Sequence, residues 1–207
     1  MAQFFAIHPQ TPQRRLLEAV ANILRDGGLI VYPTDSCYAL GCQLGEKAAA
    51  ERMRRIRGTG KDHNFTLVCR DLSEIAVYAR VDNQAYRLLK ALTPGPYTFI
   101  LRATGEVPKR LQHPKRRSIG IRVPGHALAQ AILDTLDAPL MSTTLILPGD
   151  DLPMTDAGEI RERLEHEVDA VVDGGSCGLD PTTVLDLSDG NVLVRRKGKG
   201  DVAFLES

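Results

Sequence analysis

Short apolar segments alternate with amphipathic ones along most of this chain, and glycine, proline or a polar turn marks each change. Leu29–Tyr32 and Ile119–Val123 have the length and composition of buried strands, whereas residues 16–24 carry apolar side chains at helical spacing. Strands interleaved with helices favour an α/β fold, with helices packed on a twisted, partly parallel sheet. Near the C-terminus only a Ser-Asp-Gly-Asn turn at 188–191 separates two strands, which predicts a hairpin and therefore a mixed sheet.

The length of 207 residues suits one domain, and no repeat or linker is apparent, so we expect residues 1–207 to fold as a unit. Lys and Arg (26) balance Asp and Glu (26), so net charge does not indicate a nucleic-acid partner. Four scattered cysteines favour reduced thiols over disulfides or a structural metal. No apolar run is long enough to span a membrane and no signal-peptide pattern is present, so we expect a cytoplasmic protein.

The familiar catalytic motifs, including the P-loop, the Gly-x-Ser-x-Gly elbow and His-Glu-x-x-His, do not occur. Basic and hydroxyl side chains instead cluster near strand and helix ends, in segments 33–41, 54–61, 109–122, 141–145, 180–184 and 195–200. Arg122 is the unusual one, because a charge inside a strand needs a partner. Each segment alone also fits an ordinary turn or a solvated basic surface. Together they are what phosphate recognition requires, and they predict one anion-binding site.

Several of these segments resemble, in order, the sequence blocks of the YrdC/YciO family, most closely its YciO branch. The matching blocks are Pro33–Cys42 (PTDSCYALGC), Thr93–Leu101 (TPGPYTFIL), Ile119–Pro124 (IGIRVP) and Pro181–Asp186 (PTTVLD). Each block is weak alone, but their order over nearly the whole chain is specific. The resemblance implies a twisted, mixed, largely parallel sheet with flanking helices around a basic concave cavity.

The resemblance also implies a chemistry. Family members make threonylcarbamoyl-AMP from threonine, bicarbonate and ATP, releasing pyrophosphate, for tRNA modification, and Mg²⁺ accompanies the ATP. Such enzymes work by positioning and charge stabilisation, so no acid–base residue is assigned. ATP or AMP and threonine or another small carboxylate are the implied ligands. The implied substrate-binding residues are Ser36, Arg122, Ser142 and Thr183, and the implied nucleotide-binding residues are Arg55, Arg57, Lys61, Thr144 and Arg196.

Three positions depart from the family pattern. Arg55 stands where the family's Lys-x-Arg pair has lysine, which exchanges a point charge for a planar fork. Ile146 stands where its Ser-x-Asn signature has asparagine, so a polar ligand group there loses its partner at a cost of about 1–3 kcal/mol. Cys69 replaces a histidine that synthases often carry. We therefore expect a nucleotide-binding protein with weak or altered synthase activity.

Two alternatives remain at this stage. One is a nucleotide-dependent enzyme that acts on a different acyl or amino-acid substrate in the same cavity. The other is a protein without catalysis that binds double-stranded RNA, tRNA or rRNA through phosphate contacts. The residues that would serve RNA binding are Lys109, Arg110, Lys115, Arg116 and Arg117, with the basic tip at 195–199 as a further phosphate contact.

Overall fold

The computed structural model describes residues 1–60 and 63–205. In these ranges the helices are α1 (Arg14–Arg25), α2 (Lys47–Arg57), α3 (Leu72–Tyr78), α4 (Asn83–Leu92), α5 (Ala127–Leu136) and α6 (Ala157–Leu164). The strands are β1 (Gln3–Ala6), β2 (Ile30–Tyr32), β3 (Ala39–Gln43), β4 (Thr66–Val68), β5 (Ala79–Arg80), β6 (Tyr97–Ala103), β7 (Ser118–Arg122), β8 (Leu140–Thr144), β9 (Ala170–Asp173), β10 (Thr183–Asp186) and β11 (Leu193–Arg196). Short 3-10 turns lie at Lys109–Leu111 and Ala203–Leu205.

The strands form one sheet in the order β1-β9-β2-β3-β8-β4-β7-β6-β10-β11, and β5 pairs with β6 off this path. Parallel pairs join β1 to β9, β9 to β2, β4 to β7 and β6 to β10. The pairs β2–β3, β3–β8, β4–β8, β6–β7, β5–β6 and β10–β11 are antiparallel. The mixed α/β sheet and its C-terminal hairpin are therefore confirmed.

Antiparallel pairing is more extensive than the strand–helix alternation alone indicates. The main reason is β3, which overlaps the polar segment 33–41, is not predicted as a strand and pairs antiparallel on both sides. Its residues Ala39–Gln43 include a glycine and a cysteine and give little strand signal on their own. β1 is also missed, because four residues at the chain's start carry no alternation to read.

Two apolar cores cover the two faces of the sheet. On one face α1 and α5 bury Val20, Leu24, Ile132 and Leu133 against β2 and β9. On the other face the larger core includes Met53 of α2 together with α6 and the inward side chains of β4, β6 and β7. The cysteines are free thiols, as expected, and burial raises the pKa of Cys42 to about 12. Within the described ranges no helix is long and apolar enough to cross a membrane.

Local sequence signals explain the element ends that frame the cavity. Pro33 directly follows β2 and ends its pairing, because proline has no N–H to donate. Asp71 caps α3 by accepting a hydrogen bond from the Glu74 N–H at 2.9 Å, as its spacing predicts. Gly58 ends α2 in the left-handed region at φ 61°, and a Cβ there would lie 2.8 Å from Pro148. Glycine thus allows the end of α2 to approach the loop after β8.

Candidate anion-binding site

A cavity of about 320 Å³ lies on one face of the sheet, over β4, β6, β7, β8 and β10. This volume is at the lower end of the range for small-molecule sites. Its described lining holds four arginines, Arg57, Arg116, Arg122 and Arg196, and no aspartate or glutamate. Hydroxyl side chains fill much of the wall between these cations. The cavity is therefore basic although the whole chain is neutral.

Arg122 lies at the floor and is buried. Its Nη2 pairs with Oδ1 of Asp35, and its Nη1 donates to the Ser36 hydroxyl at 3.3 Å. Asp35 is itself held by the Gly125 N–H, which donates to Oδ2 at 2.7 Å. The Nε of Arg122 is buried with no hydrogen-bond partner in the described structure. A buried N–H without a partner is costly, so the burial of Arg122 is not fully compensated by the described residues.

The turn that carries Ser36 is shaped by Thr34. The Thr34 hydroxyl donates to the Cys37 carbonyl oxygen at 2.7 Å and accepts the N–H groups of Ser36 and Cys37 at 3.1 and 3.2 Å. This arrangement is a local side-chain turn of the kind that Ser and Thr form. It fixes the Ser36 hydroxyl 3.0 Å from that of Thr34, with both lining the cavity.

Arg57 reaches the cavity wall beside Ile146 from the last turn of α2. Its Nη1 donates to the backbone carbonyl oxygen of Ile146, and its Nε is buried without a partner. Burial lowers the pKa of this guanidinium, although an arginine stays charged near neutral pH. His63 stands beside it and contacts the Thr143 hydroxyl at 3.0 Å. Burial, then the charges of Arg57 and Arg54, lower the pKa of His63, so the neutral ring is favoured.

Arg196 forms the third cationic wall, at the end of β11. Its Nε and Nη2 donate to the Thr182 carbonyl oxygen at 3.0 and 2.9 Å, and Nη2 also reaches the Thr182 hydroxyl at 3.2 Å. That hydroxyl lies 2.8 Å from the hydroxyl of Thr98. Burial lowers the pKa of Arg196. Backbone and hydroxyl oxygens therefore orient the cation without neutralising it.

The structure brings together most of the residues predicted to form the site. Those that line the cavity are Ser36, Arg57, Arg122, Ser142, Thr144 and Arg196. The Ser142 hydroxyl donates to the Leu40 carbonyl oxygen and accepts from Tyr32, each at 2.9 Å, so a lone pair remains for a ligand. Lys61 lies outside the described residues.

Two predicted residues do not reach the cavity. Arg55 points to solvent from the outer face of α2 and pairs with Glu167 at 3.2 Å, because neighbouring helical positions face different directions. Thr183 is buried beneath the wall, where its hydroxyl donates to the Gly200 carbonyl oxygen at 2.6 Å and accepts the Gly198 N–H. Strand side chains alternate between faces, so Thr182 lines the cavity and Thr183 does not.

The five cations predicted for RNA binding separate in the structure. Only Arg116 lines the cavity, whereas Lys109, Arg110, Lys115 and Arg117 are exposed and lie outside its lining. Arg110 reaches back to the Gly45 carbonyl oxygen at 2.8 Å. The segment 109–117 therefore borders the cavity on one side and presents an exposed basic rim on the other.

Four residues without a predicted role complete the site. Asp35 is the partner that buried Arg122 requires, and it lies in the recognised block 33–42. Thr98 and Thr182 lie in two further recognised blocks and line the wall. His63 had no sequence signal, because its role depends on the position of Arg57 and Thr143.

The donor set fits the anionic part of a Mg²⁺–ATP complex but not the metal ion itself. Mg²⁺ takes oxygen ligands, usually carboxylates, phosphates and water. The described lining offers no carboxylate, and the described residues contain no group of three or more His, Cys, Asp or Glu that could hold a metal. The described lining is therefore suited to phosphate and carboxylate groups rather than to the metal ion.

Fold and site together define an α/β protein with an arginine-lined cavity on one face of its mixed sheet. The family model Sua5/YciO/YrdC, with the description "telomere recombination", matches residues 22–198. This chain therefore belongs to the Sua5/YciO/YrdC family, as the resemblance of its sequence blocks predicts.

Relatives and solved structures agree with this membership. The protein YciO of Escherichia coli K12 is 54% identical over 202 residues, which cover 98% of either chain. Its crystal structure matches with a TM-score of 0.93 over 98% of both chains. A threonylcarbamoyl-AMP synthase of Chromobacterium violaceum is 32% identical over 186 residues, covering 89% of this chain and 95% of the synthase. P. abyssi Sua5 complexed with L-threonine shares the fold, with a TM-score of 0.89 at 22% identity over 98% of this chain and 59% of Sua5.

Proposed function

We propose that this protein binds an adenine nucleotide, ATP or AMP, together with threonine or another small carboxylate in the arginine-lined cavity. The chemistry is of the threonylcarbamoyl-AMP synthase type, with weak or altered synthase activity. The expected compartment is the cytoplasm, where ATP and tRNA occur together.

One observation supports this function above the others. Arg57 and Arg196 line a cavity that has no carboxylate in its described lining, and their hydrogen bonds go to neutral oxygens of Ile146 and Thr182. An anion that enters the cavity would pair with these cations, and charge-assisted hydrogen bonds are the strong ones. An apolar ligand would leave both charges without a counter-charge.

The relatives support the choice of anions in this proposal. The synthase of Chromobacterium violaceum is similar over most of both chains, and the structure of P. abyssi Sua5 contains L-threonine. We assign the carboxylate to Ser36 and Arg122, and the phosphates to Arg57, Thr144 and Arg196. Mg²⁺ would enter on the nucleotide phosphates and neutralise part of their charge.

The chain's own contribution to catalysis is positional and electrostatic. Arg122 holds the carboxylate while Arg57 and Arg196 face the phosphates, so the reacting groups are oriented and their charge is stabilised. Ile146 limits the rate, since an aliphatic side chain offers no hydrogen bond at the asparagine position. A loss of about 1–3 kcal/mol there corresponds to roughly a five- to 150-fold loss of rate if the contact acts in the transition state.

Calorimetry with ATP, AMP and L-threonine tests the binding assignment. The test variant is Arg57→Ala plus Arg122→Ala, and the matched control is Arg55→Ala, which removes an exposed arginine of the same helix that does not line the cavity. Wild type and control should bind alike, and the double variant should lose measurable binding. Equal binding by all three proteins would sink the site assignment.

Turnover is tested separately with ATP, bicarbonate and labelled threonine. We expect pyrophosphate and threonylcarbamoyl-AMP to form far more slowly than with the Chromobacterium violaceum synthase under the same conditions. Turnover equal to that of the synthase would contradict the weakened activity, and nucleotide binding without any product would favour a different acyl or amino-acid substrate.

A second candidate function is binding of double-stranded RNA, tRNA or rRNA along the exposed rim. The observation that favours it is the concentration of five cations between Lys109 and Arg117, four of them outside the cavity lining. Phosphate contacts weaken steeply with salt, because binding releases counterions. This candidate predicts that the logarithm of the RNA-binding constant falls linearly with the logarithm of the salt concentration, and that Lys115→Ala plus Arg117→Ala abolishes RNA binding. Binding that does not depend on salt rejects it.

A further inference from the structure

Arg116 is a cavity-lining cation that the proposed function leaves without a role. It belongs to the exposed basic rim in sequence, yet its side chain lines the cavity wall. Its Nη1 donates to Oδ2 of Asp186 at 3.0 Å, and its guanidinium makes no other hydrogen bond to a described residue, while its backbone N–H donates to Nδ1 of His113 at 3.2 Å. A guanidinium carries five N–H donors, so most of them are left for a ligand.

Asp186 holds Arg116 in place from beneath the wall. The carboxylate is 2% exposed, and its Oδ1 accepts the Ser188 N–H and hydroxyl at 3.1 and 2.6 Å. Its Oδ2 accepts Nε and Nη2 of Arg195 at 3.0 and 2.8 Å. Burial raises the pKa of Asp186, but the hydrogen bonds from Ser188 and Arg195 outweigh it and leave the pKa below the ordinary value. One negative charge thus faces two guanidinium groups, and the cluster keeps a net positive charge.

Arg116 and Arg196 lie along the same wall. The Arg196 guanidinium lies at Thr182, where it donates to the carbonyl oxygen and the hydroxyl, and the Arg116 guanidinium lies at Asp186, four residues further along the chain. Four residues of extended chain span roughly 13 Å. Two oriented cations separated along one strand suit an extended polyanion, whereas one compact carboxylate would engage a single guanidinium.

We propose that Arg116 is a further nucleotide-binding residue, which holds the distal phosphates of a nucleotide whose first phosphate lies at Arg196, and that Asp186 is its positioning residue. This inference rests on the proposed function and deepens it, because it names the part of the ligand that ATP has and AMP lacks. It also moves Arg116 from the RNA-binding rim to the cavity.

Calorimetry with ATP and AMP distinguishes a specific contact of Arg116 with the distal phosphates from a non-specific effect of one positive charge. In Arg116→Ala we expect ATP affinity to fall about ten-fold or more while AMP affinity stays roughly unchanged, so the ATP-to-AMP preference falls. Arg116→Lys should retain part of that preference, because it keeps the charge without the fork. Arg117→Ala is the matched control, since it removes the adjacent exposed arginine, and it should bind both nucleotides like wild type.

Asp186→Asn tests the positioning role. We expect the ATP-to-AMP preference to fall part of the way although Arg116 is intact, and a lower Tm with an unchanged preference would show a merely structural role. If wild type binds ATP more tightly than AMP and Arg116→Ala keeps the same preference, this inference is wrong while the proposed function stands. Wild type that binds neither nucleotide overturns the proposed function with it. Equal losses of double-stranded RNA binding in Arg116→Ala and Arg117→Ala, with ATP binding intact, assign Arg116 to RNA and also overturn the inference.

Discussion

Arg57 donates a hydrogen bond to the backbone carbonyl oxygen of Ile146, so the retained half of the Lys-x-Arg pair contacts the altered half of the Ser-x-Asn signature. The contact is to the main chain and does not depend on the side chain at position 146. The two departures from the family pattern are therefore unequal. Arg55 lies outside the cavity and leaves its shape unchanged, whereas Ile146 lines it.

Ile146→Asn should restore a polar contact without disturbing Arg57. We expect the rate of pyrophosphate release in the presence of ATP, bicarbonate and threonine to rise about ten-fold or more, because one hydrogen bond to a charged ligand is regained. Ile146→Val is the matched control, since it stays apolar, and should leave the rate near that of wild type. No gain in the asparagine variant would show that position 146 does not limit the reaction.

Arg122→Ala should be strongly destabilising as well as inactivating. The side chains of Arg122 and Asp35 are 9% and 12% exposed, so removing the arginine leaves a nearly buried carboxylate unpaired. The free energy of unfolding should fall by about 3–5 kcal/mol. For a chain of this size the Tm should fall by roughly 6–20 °C in thermal unfolding. The exposed pair of Arg55 and Glu167 is the control, and Arg55→Ala should cost less than about 1 kcal/mol.

A double variant tests whether the unpaired charge of Asp35, rather than the loss of the Arg122–Asp35 contact, destabilises the protein. Arg122→Met plus Asp35→Asn leaves no unpaired charge, and asparagine can still accept from the Gly125 N–H, so part of the lost Tm should return. If the double variant is no more stable than Arg122→Ala, the unpaired carboxylate is not what destabilises the protein.

The sequence predicts the fold where its signals are local. The apolar strands, the Asp71 cap and the hairpin at 188–191 follow from periodicity, capping and turn chemistry, and the structure has them. β3 could not be predicted in this way, because Ala39–Gln43 pairs with strands that are distant in sequence and its own composition is neutral. Long-range pairing decided its structure.

The sequence also does not predict which side chains of the site face the cavity. Arg122 was predicted to need a partner, but only the folded chain places Asp35 against it. Arg55 and Thr183 were assigned from motif position, and one-residue differences in helix and strand direction place both away from the cavity. A motif gives the neighbourhood of a functional side chain, whereas the pitch of its element decides which residue faces the ligand.

Gly120→Val should remove ligand binding while the fold is retained. Gly120 lines the cavity in the middle of β7, and a Cβ there would lie 3.5 Å from Thr66 Oγ1 and from Thr98 Cγ2, which is ordinary contact. Glycine inside a strand lowers stability, and packing does not require it here. Its effect is to leave the cavity floor over β7 free of a side chain. We expect an unchanged or slightly higher Tm and at least a ten-fold loss of ATP or threonine affinity.

Gly105→Val is the control for this variant, since its Cβ would meet nothing within 4 Å and the position is exposed and outside the cavity lining. It should bind ligands like wild type. Retained binding in Gly120→Val would mean that the ligand does not occupy the floor over β7.

His63 should make stability depend on pH in a defined direction. Burial, aided by the charges of Arg57 and Arg54, lowers its pKa in the folded state below the ordinary 6.5. The unfolded chain therefore binds the proton first, and the stability contributed by the neutral ring is complete above pH 6.5 and lost as the pH falls towards the folded pKa. Burial also lowers the pKa of His126, so this residue makes stability fall with pH in the same direction. The contribution of His63 is therefore isolated by comparing wild type with His63→Gln. The difference in Tm between wild type and His63→Gln should be constant above pH 6.5 and should shift against wild type as the pH falls from 6.5 to 5. A difference that does not change with pH would show that His63 is not held neutral beside Arg57.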